Sequence, residues 1–191
     1  MKQNSRTSSP SVAPPVMDAE AINRALRRIA HEIIERNPDL ASVVLAGIPS
    51  RGVEIARRLA SIVESLGKTS IETGVIDVSM HRDDVGKRAE LPRVQASSLP
   101  LPLENKTVII VDDVFFTGRT ARAAMDAISS FGRPARIQLA ALIDRGHREL
   151  PIRVDYVGKN LPTAAGERVR LHLENVDGEP DAVWLIKEEK T

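Results

Sequence analysis

The fold of this 191-residue chain is decided by the stretch Val108-Ile109-Ile110-Val111-Asp112-Asp113-Val114-Phe115-Phe116-Thr117-Gly118-Arg119-Thr120. The apolar run from Thr107 to Val111 predicts a buried strand, and two acids stand at its carboxyl end. A short polar loop through Gly118 then leads into a helix from Arg119 to about Ser130. A strand, a loop and a helix in this order form the repeating unit of an α/β fold, so further copies are expected on both sides.

Strand and helix patterns do alternate along the rest of the chain. A helix is predicted from Asp18 to Asn37, where Asp18 can cap the start and apolar residues recur at helical spacing. The other predicted elements are a strand at 41–46, a helix at 53–65, a strand at 71–78, and strands at 135–143, 154–157, 168–173 and 182–186. This alternation predicts an α/β protein with a mainly parallel sheet flanked by helices, and with ligands bound beyond the carboxyl ends of the strands.

Composition limits the classes of protein to be considered. With 42% hydrophobic residues the chain can fill one core, which predicts a single domain at 17–191. Residues 1–16 are rich in Ser and Pro and lack the apolar stretch of a secretory signal, which predicts a flexible tail. The charges nearly balance, at 27 Lys plus Arg against 26 Asp plus Glu, so any affinity for nucleic acid must come from local clustering. There is no cysteine and no apolar run that could span a bilayer, so a cytoplasmic protein without membrane contact is expected.

The junction between the central strand and its helix has the chemistry of a phosphate site. Backbone N–H groups at a helix start attract anions, and Gly118 lets the backbone approach a phosphate closely. The hydroxyls of Thr117 and Thr120 add donors. Asp112 and Asp113 are suited to accept hydrogen bonds from sugar hydroxyls or to lie near a magnesium-bound diphosphate. These residues predict a cradle for a ribose 5-phosphate.

Alternative interpretations of the acid pair are weaker. A magnesium-holding pair in a nucleotide hydrolase would need a Gly-x-x-x-x-Gly-Lys-Ser/Thr loop, and the chain has none. A purely structural turn would not need the second acid, both threonines and the glycine at these offsets. The histidines lack the spacing of metal ligands, so no metal site made of protein side chains alone is predicted.

Two further loops could take part in binding a phosphorylated sugar. Gly47-Ile48-Pro49-Ser50-Arg51-Gly52 joins a predicted strand to a predicted helix, and its amides and Arg51 could hold a diphosphate, although alone it is better read as a plain turn. Residues 79–104 show no clear helical or strand periodicity and contain three prolines, which is typical of a functional lid or of a disordered loop. Arg82 in this lid could meet a departing negative charge, and a solvated charged loop is an equally good interpretation.

The central stretch resembles the phosphoribosyl-diphosphate motif of type I phosphoribosyltransferases over its whole strand, loop and helix start. The resemblance implies that family's fold, with a small hood from the lid-side and C-terminal segments, and phosphoribosyl diphosphate as the donor. It also implies Asp112, Asp113 and Arg82 as catalytic residues, and Mg²⁺ bound mainly through the substrate near Asp112. The donor-binding residues that it implies are Ser50, Arg51, Gly52, Asp112, Asp113, Thr117, Gly118, Arg119 and Thr120. Pro49 departs from the usual basic or polar residue, and His81 from the usual Tyr, so Arg82 is preferred to His81.

Two other segments, 28–37 and 144–163, are similar to the PyrR-type pyrimidine-operon regulators, which are also uracil phosphoribosyltransferases. This similarity runs from about Asp18 to about Val183 and implies uracil as the acceptor. The implied base-binding residues are Val157, Gly158, Lys159, Asn160 and Leu161. The implied RNA-binding residues are Arg27, Arg28, His31, His147, Arg153 and Lys159, with Arg27 in place of the family's frequent Thr.

The first helix gives the RNA hypothesis some physical support. Arg24, Arg27, Arg28 and His31 fall on one stripe opposite the apolar face. An ordinary solvated face remains the alternative, since nearby acids could pair with these cations. The implied partners are phosphoribosyl diphosphate, uracil, UMP or UTP, a pyrimidine-operon leader RNA, and further copies of the chain in a homodimer or higher oligomer. Three alternatives stay open: an enzyme without RNA regulation, an RNA-binding nucleotide sensor with little turnover, and the weaker option of purine or orotate transfer.

Overall fold

The computed structural model describes residues 14–79, 96–164 and 166–187, which form two sheets and their flanking helices. A short 3₁₀ helix, Leu40–Ser42, precedes the second strand. In chain order the other elements are β1 Met17–Asp18, α1 Ala19–Arg36, β2 Val43–Gly47, α2 Arg51–Gly67, β3 Glu72–Val75, β4 Thr107–Phe115, α3 Arg119–Ser129, β5 Arg136–Asp144, β6 Tyr156–Asn160, β7 Glu167–His172, α4 Glu174–Asp177 and β8 Ala182–Lys187.

The larger sheet has five parallel strands in the order β3-β2-β4-β5-β6, which confirms the predicted fold class. Its middle strands read as continuous apolar runs because both faces are covered by helices. The apolar side chains of α1 and α2 pack in one buried cluster, and those of α3 pack in the other. None of the described helices is long and apolar enough to cross a bilayer.

The strand order places a topological switch point between β2 and β4. The chain leaves β2 through α2 towards β3, whereas it leaves β4 through α3 towards β5 on the other side. The two connecting helices therefore diverge, and a crevice opens between the carboxyl ends of β2 and β4. Ligands of open α/β sheets bind in such a crevice.

The smaller sheet, with α4, forms the hood, and its composition differs from the sequence-based expectation. Its three antiparallel strands are ordered β1-β8-β7, so Met17 and Asp18 at the head of α1 take part, and the expected lid-side segment does not among the described residues. A strand of two residues is too short to leave a period in the sequence. Asp18 also caps α1 as predicted, since its Oδ1 accepts a hydrogen bond from the Ala21 N–H at 2.8 Å.

Part of the predicted lid is packed against the sheet edge. Ser98 forms an antiparallel bridge with Val75, and Leu99 and Leu103 are buried. The Ser97 hydroxyl accepts a hydrogen bond from the backbone N–H of Asp77 at 2.8 Å. His81, Arg82 and the rest of 80–95 lie outside the described residues, so the predicted role of Arg82 stays a prediction.

Candidate active site

The two acids lie within β4 and not beyond its end, so the predicted strand end at Val111 was wrong. β4 stays paired with β5 as far as Phe115, whereas its pairing with β2 stops at Val111. Beyond Val111, β4 is therefore paired on one side only, which we call the step in β4. At this step the β2-facing edge of Asp112 and Asp113 lies beside the loop that follows β2. Sequence patterns missed it because carboxylates in a strand have low β propensity.

The loop after β2 is fixed directly against this step. The N–H of Ile48 donates a hydrogen bond to the carbonyl oxygen of Val111 at 2.9 Å. Gly52, in the first turn of α2, comes so close that a Cβ there would lie 2.4 Å from the same oxygen. Only a residue without a side chain fits at this contact, so Gly52 sets the distance between the loop and β4. The Pro49–Ser50 peptide bond is cis, and Ser50 is exposed.

Arg51 connects the loop, the acid pair and the hood. Its Nη1 lies 3.7 Å from Oδ2 of Asp113, while its Nε and Nη2 donate to the carboxylate of Asp177 in α4 at 2.9 and 2.7 Å. The hydrogen bond from Arg51 is the main cause that holds the pKa of Asp177 below its usual value. The same pair raises the pKa of Arg51. The structure thus brings two of the predicted donor-binding residues together and adds Asp177.

The acid side chains are held by the backbone of their own strand. Oδ1 of Asp112 accepts from the N–H of Asp113 at 2.9 Å, and Oδ1 of Asp113 accepts from the N–H of Val114 at 2.7 Å. The Asp113 side chain keeps 24% of its surface exposed. Both carboxylates are therefore oriented and still reachable by sugar hydroxyls or a substrate-bound cation.

The predicted phosphate loop, Thr117–Thr120, opens α3 as expected. Gly118 is the N-cap residue, with φ +92°, a left-handed conformation that favours glycine. The carbonyl oxygen of Thr117 accepts from the N–H groups of Glu149 and Leu150 at 3.0 and 3.2 Å, which anchors the loop to the segment after β5. The Arg119 guanidinium pairs with Glu149 at 2.9 Å. These contacts with Glu149 and Leu150 hold the loop in place.

Two helix N-termini flank the crevice, and at the start of α3 the Thr117 hydroxyl accepts a long hydrogen bond from the Arg119 N–H at 3.4 Å. The N-cap residues Ser50 of α2 and Gly118 of α3 make no side-chain capping hydrogen bond. Helix dipoles and first-turn N–H groups at such termini attract anions. Two anion-attracting ends beside an acid pair suit a ligand with phosphates at both ends of a sugar.

Comparison with known proteins decides the family. A model of the phosphoribosyl transferase domain matches residues 16–174. The chain belongs to the phosphoribosyltransferase family. It is 51% identical to the "Bifunctional protein PyrR" of Roseiflexus sp. over 90% of this chain and 94% of the relative. It is 55% identical to the protein of the same name from Chloroflexus aurantiacus over 89% of this chain and 93% of the relative.

Solved structures of the family share the fold at low sequence identity. A hypoxanthine-guanine phosphoribosyltransferase from Leishmania tarentolae, crystallised with GMP, is 18% identical and has a TM-score of 0.72, covering 95% of this chain and all of that one. The hypoxanthine phosphoribosyltransferase of Trypanosoma cruzi has a TM-score of 0.70 at 18% identity, covering 93% of this chain and 98% of that one. The sequence-based assignments to the PyrR-type phosphoribosyltransferases, to their fold and to their enzyme class are confirmed.

The predicted base-binding segment of this phosphoribosyltransferase lies at the far edge of the sheet. Residues 157–161 cover the carboxyl end of β6, where Lys159 and Asn160 are exposed. The Leu161 N–H donates to the Asp144 carbonyl at 2.8 Å. Arg28 of α1 donates to the carbonyl oxygens of Val157, at 3.1 Å, and Gly158. The backbone of this segment is thus held in place by α1.

The residues predicted to bind RNA come from two separate places. Arg28 and Lys159 line one groove of about 370 Å³ between α1 and β6, together with Arg24. Arg27 and His31 are exposed on α1. His147 and Arg153 lie in the segment between β5 and β6, where Nε2–H of His147 donates to the Thr163 carbonyl at 2.6 Å. Arg28 therefore has a structural partner that the sequence did not indicate.

Sequence reasoning missed the polar network that joins the hood to α2. Glu54 is almost fully buried, and its carboxylate accepts from Arg58 at 2.8 Å and from Asn175 at 2.7 Å. Arg58 also pairs with Asp181, with Nη2 at 3.2 Å from Oδ1. The Glu54–Asn175 and Arg58–Asp181 partners are more than 120 residues apart in the chain, as are Arg51 and Asp177. No local pattern could have revealed them.

Proposed function

We propose that this phosphoribosyltransferase joins uracil to the ribose 5-phosphate of phosphoribosyl diphosphate, giving UMP and diphosphate. The observation that carries the proposal is the step in β4, where the acid pair faces Arg51 across the switch point between β2 and β4. The relatives named "Bifunctional protein PyrR" support a second, regulatory activity on pyrimidine-operon leader RNA, governed by uridine nucleotides.

The reaction forms a bond between N1 of uracil and the anomeric carbon as the bond to diphosphate breaks. Positive charge develops on the sugar, and the carboxylates of Asp112 and Asp113 are placed to hold its hydroxyls and offset that charge. The leaving diphosphate gains negative charge, which Arg51 is placed to neutralise. The N–H groups at the start of α3 are placed to hold the 5-phosphate. The proton on N1 passes to solvent.

The chemistry of the site fits Mg²⁺ that arrives with the donor. Among the described residues there is no cluster of three or more His, Cys, Asp or Glu side chains that could hold a metal by itself. Mg²⁺ commonly binds through one or two carboxylates and the phosphates of a substrate, and Asp112 and Asp113 offer such carboxylates. When bound, the ion would neutralise negative charge on the donor.

A base panel tests the transfer reaction. The protein is incubated with phosphoribosyl diphosphate, Mg²⁺ and one base at a time: uracil, hypoxanthine, guanine or orotate. We expect nucleotide product with uracil alone, because uracil is the acceptor that the similarity to the PyrR-type proteins implies. Turnover with hypoxanthine and none with uracil would overturn the acceptor assignment.

Binding of a leader transcript tests the regulatory activity. We expect affinity that falls steeply with salt, because the groove between α1 and β6 is lined by Arg24, Arg28 and Lys159. Affinity should also rise with UMP, because uridine nucleotides are proposed to govern the activity. Light scattering in the same buffer tests the proposed homodimer or higher oligomer. Equal affinity for an unrelated transcript, with or without UMP, would leave an enzyme without RNA regulation.

A further inference from the structure

Arg51 is held by one edge of its guanidinium group. Nε and Nη2 take both carboxylate oxygens of Asp177, at 2.9 and 2.7 Å, in a fork-to-fork arrangement. Nη1 is on the opposite corner and lies 3.7 Å from Oδ2 of Asp113. One edge of the side chain is therefore anchored in the hood, and the remaining corner points to the acid pair.

Asp177 is itself fixed. Its Oδ2 accepts a second hydrogen bond, from the backbone N–H of Leu173 at 2.8 Å, and its side chain is only 18% exposed. Its pKa is lowered, chiefly by Arg51, so it is a carboxylate at neutral pH. A long, flexible arginine next to such an anchor loses its rotamer freedom before any ligand arrives.

We infer that Asp177 is a positioning residue for diphosphate: it grips Nε and Nη2 of Arg51 so that Nη1 faces the leaving group. The inference rests on the proposed function, because it takes the diphosphate of the donor as the ligand of Arg51. Preorganisation lowers the entropy that binding costs, so loss of the anchor weakens the interaction with diphosphate and leaves uracil binding untouched.

The chain offers a matched control in the second arginine–aspartate pair. Arg58 lies two turns along α2 from Arg51 and pairs with Asp181, also from the hood. Asp181→Asn therefore removes the same kind of contact to α2, from the segment between α4 and β8 instead of from α4 itself. Arg58 does not contact the acid pair in the described structure, so any effect on donor binding should be absent.

Steady-state kinetics of the full chain distinguish a positioning role of Asp177 from a merely structural ion pair. For Asp177→Asn we expect the KM for phosphoribosyl diphosphate to rise about tenfold and the KM for uracil to stay constant. Asp181→Asn should change neither KM. Asp177→Glu keeps the charge and should show a smaller rise. In an Arg51→Ala background, Asp177→Asn should have no further effect.

Titration with inorganic diphosphate and Mg²⁺ gives a readout that does not need turnover. Asp177→Asn should bind diphosphate about tenfold more weakly than the wild type, and Asp181→Asn should bind equally well. Thermal unfolding of each variant shows that the protein measured is folded. An unchanged affinity, or equal losses in the two variants, would overturn the positioning role. A wild-type protein that binds diphosphate but transfers to no base would refute the proposed function alone.

Discussion

Replacing Gly52 by alanine tests how closely the loop after β2 must approach β4. Gly52 lies in the first turn of α2, where helix propensity alone would favour alanine by about 1 kcal/mol. The added Cβ, however, would lie 2.4 Å from the carbonyl oxygen of Val111. Backbone atoms cannot swing aside as a side chain can, so α2 or β4 must move. The close contact therefore predicts that Gly52→Ala lowers the stability of the protein, whereas helix propensity predicts that it raises it.

The magnitude follows from three contributions. Overpacking against a backbone atom costs about 2 kcal/mol. The shift also strains the hydrogen bond between the Ile48 N–H and Val111, worth about 1 kcal/mol. Subtracting the propensity gain of about 1 kcal/mol leaves a net destabilisation of about 2 kcal/mol. For a domain of this size the melting temperature should fall by about 4–8 °C.

Gly67→Ala is the matched control on the same helix. A Cβ at Gly67 would lie 2.9 Å from Cδ1 of Leu40, the far end of a flexible side chain. We expect Gly67→Ala to be neutral or slightly stabilising, whereas Gly52→Ala is destabilised and has a raised KM for phosphoribosyl diphosphate. Urea unfolding and initial rates measure both. If Gly52→Ala matched the stability and KM of the wild type, the close approach of α2 and β4 would be refuted.

Three more substitutions have defined outcomes. Asp113→Asn should reduce kcat at least a hundredfold, because the charge beside the sugar is lost, while RNA affinity changes little; equal losses would contradict the division of roles. Arg153→Gln should weaken leader-RNA binding and lower its salt slope by about one, with uracil transfer nearly intact, and a slower transfer rate would argue against it. Burial opposes the charge of Asp181, yet hydrogen bonds, led by that from Arg58, lower its pKa. The ionised Asp181 carboxylate should therefore make the wild type about 2 kcal/mol more stable to unfolding than Asp181→Asn. This difference is complete above about pH 4 and is lost on further acidification. Urea titrations of both proteins that gave the same difference at every pH would disprove this.

The parallel sheet could be predicted because its evidence is local. The apolar run of β4 and the turn at Gly118 lie within a dozen residues, and they predicted the start of the strand and the start of the helix, although not the end of the strand at Phe115. The hood could not be predicted in the same way. Its sheet begins with the two residues Met17 and Asp18, and its antiparallel pairing joins opposite ends of the chain. Pairing of distant short segments leaves no periodic trace.

In the candidate site, too, contacts between side chains that are distant in the chain could not be predicted. The family resemblance of its loop led to the prediction that Arg51 meets a diphosphate, but its partner Asp177 lies 126 residues away. Arg28 was predicted as an RNA contact, and its hydrogen bonds to the backbone of β6 were not foreseen. Residue type and local spacing identify a chemical role. Long-range packing decides what holds that residue in place.

The order of strands also sets the distance between the proposed donor and acceptor sites. The loops proposed to bind the donor follow β2 and β4, whereas the predicted acceptor segment ends β6, with β5 in between. Neighbouring strands lie about 4.8 Å apart, so β4 and β6 are roughly 10 Å from one another, the scale of a single nucleotide. Because the proposed donor and acceptor sites lie on different strands, we expect substitutions at the end of β6 to change the choice of acceptor without changing donor binding.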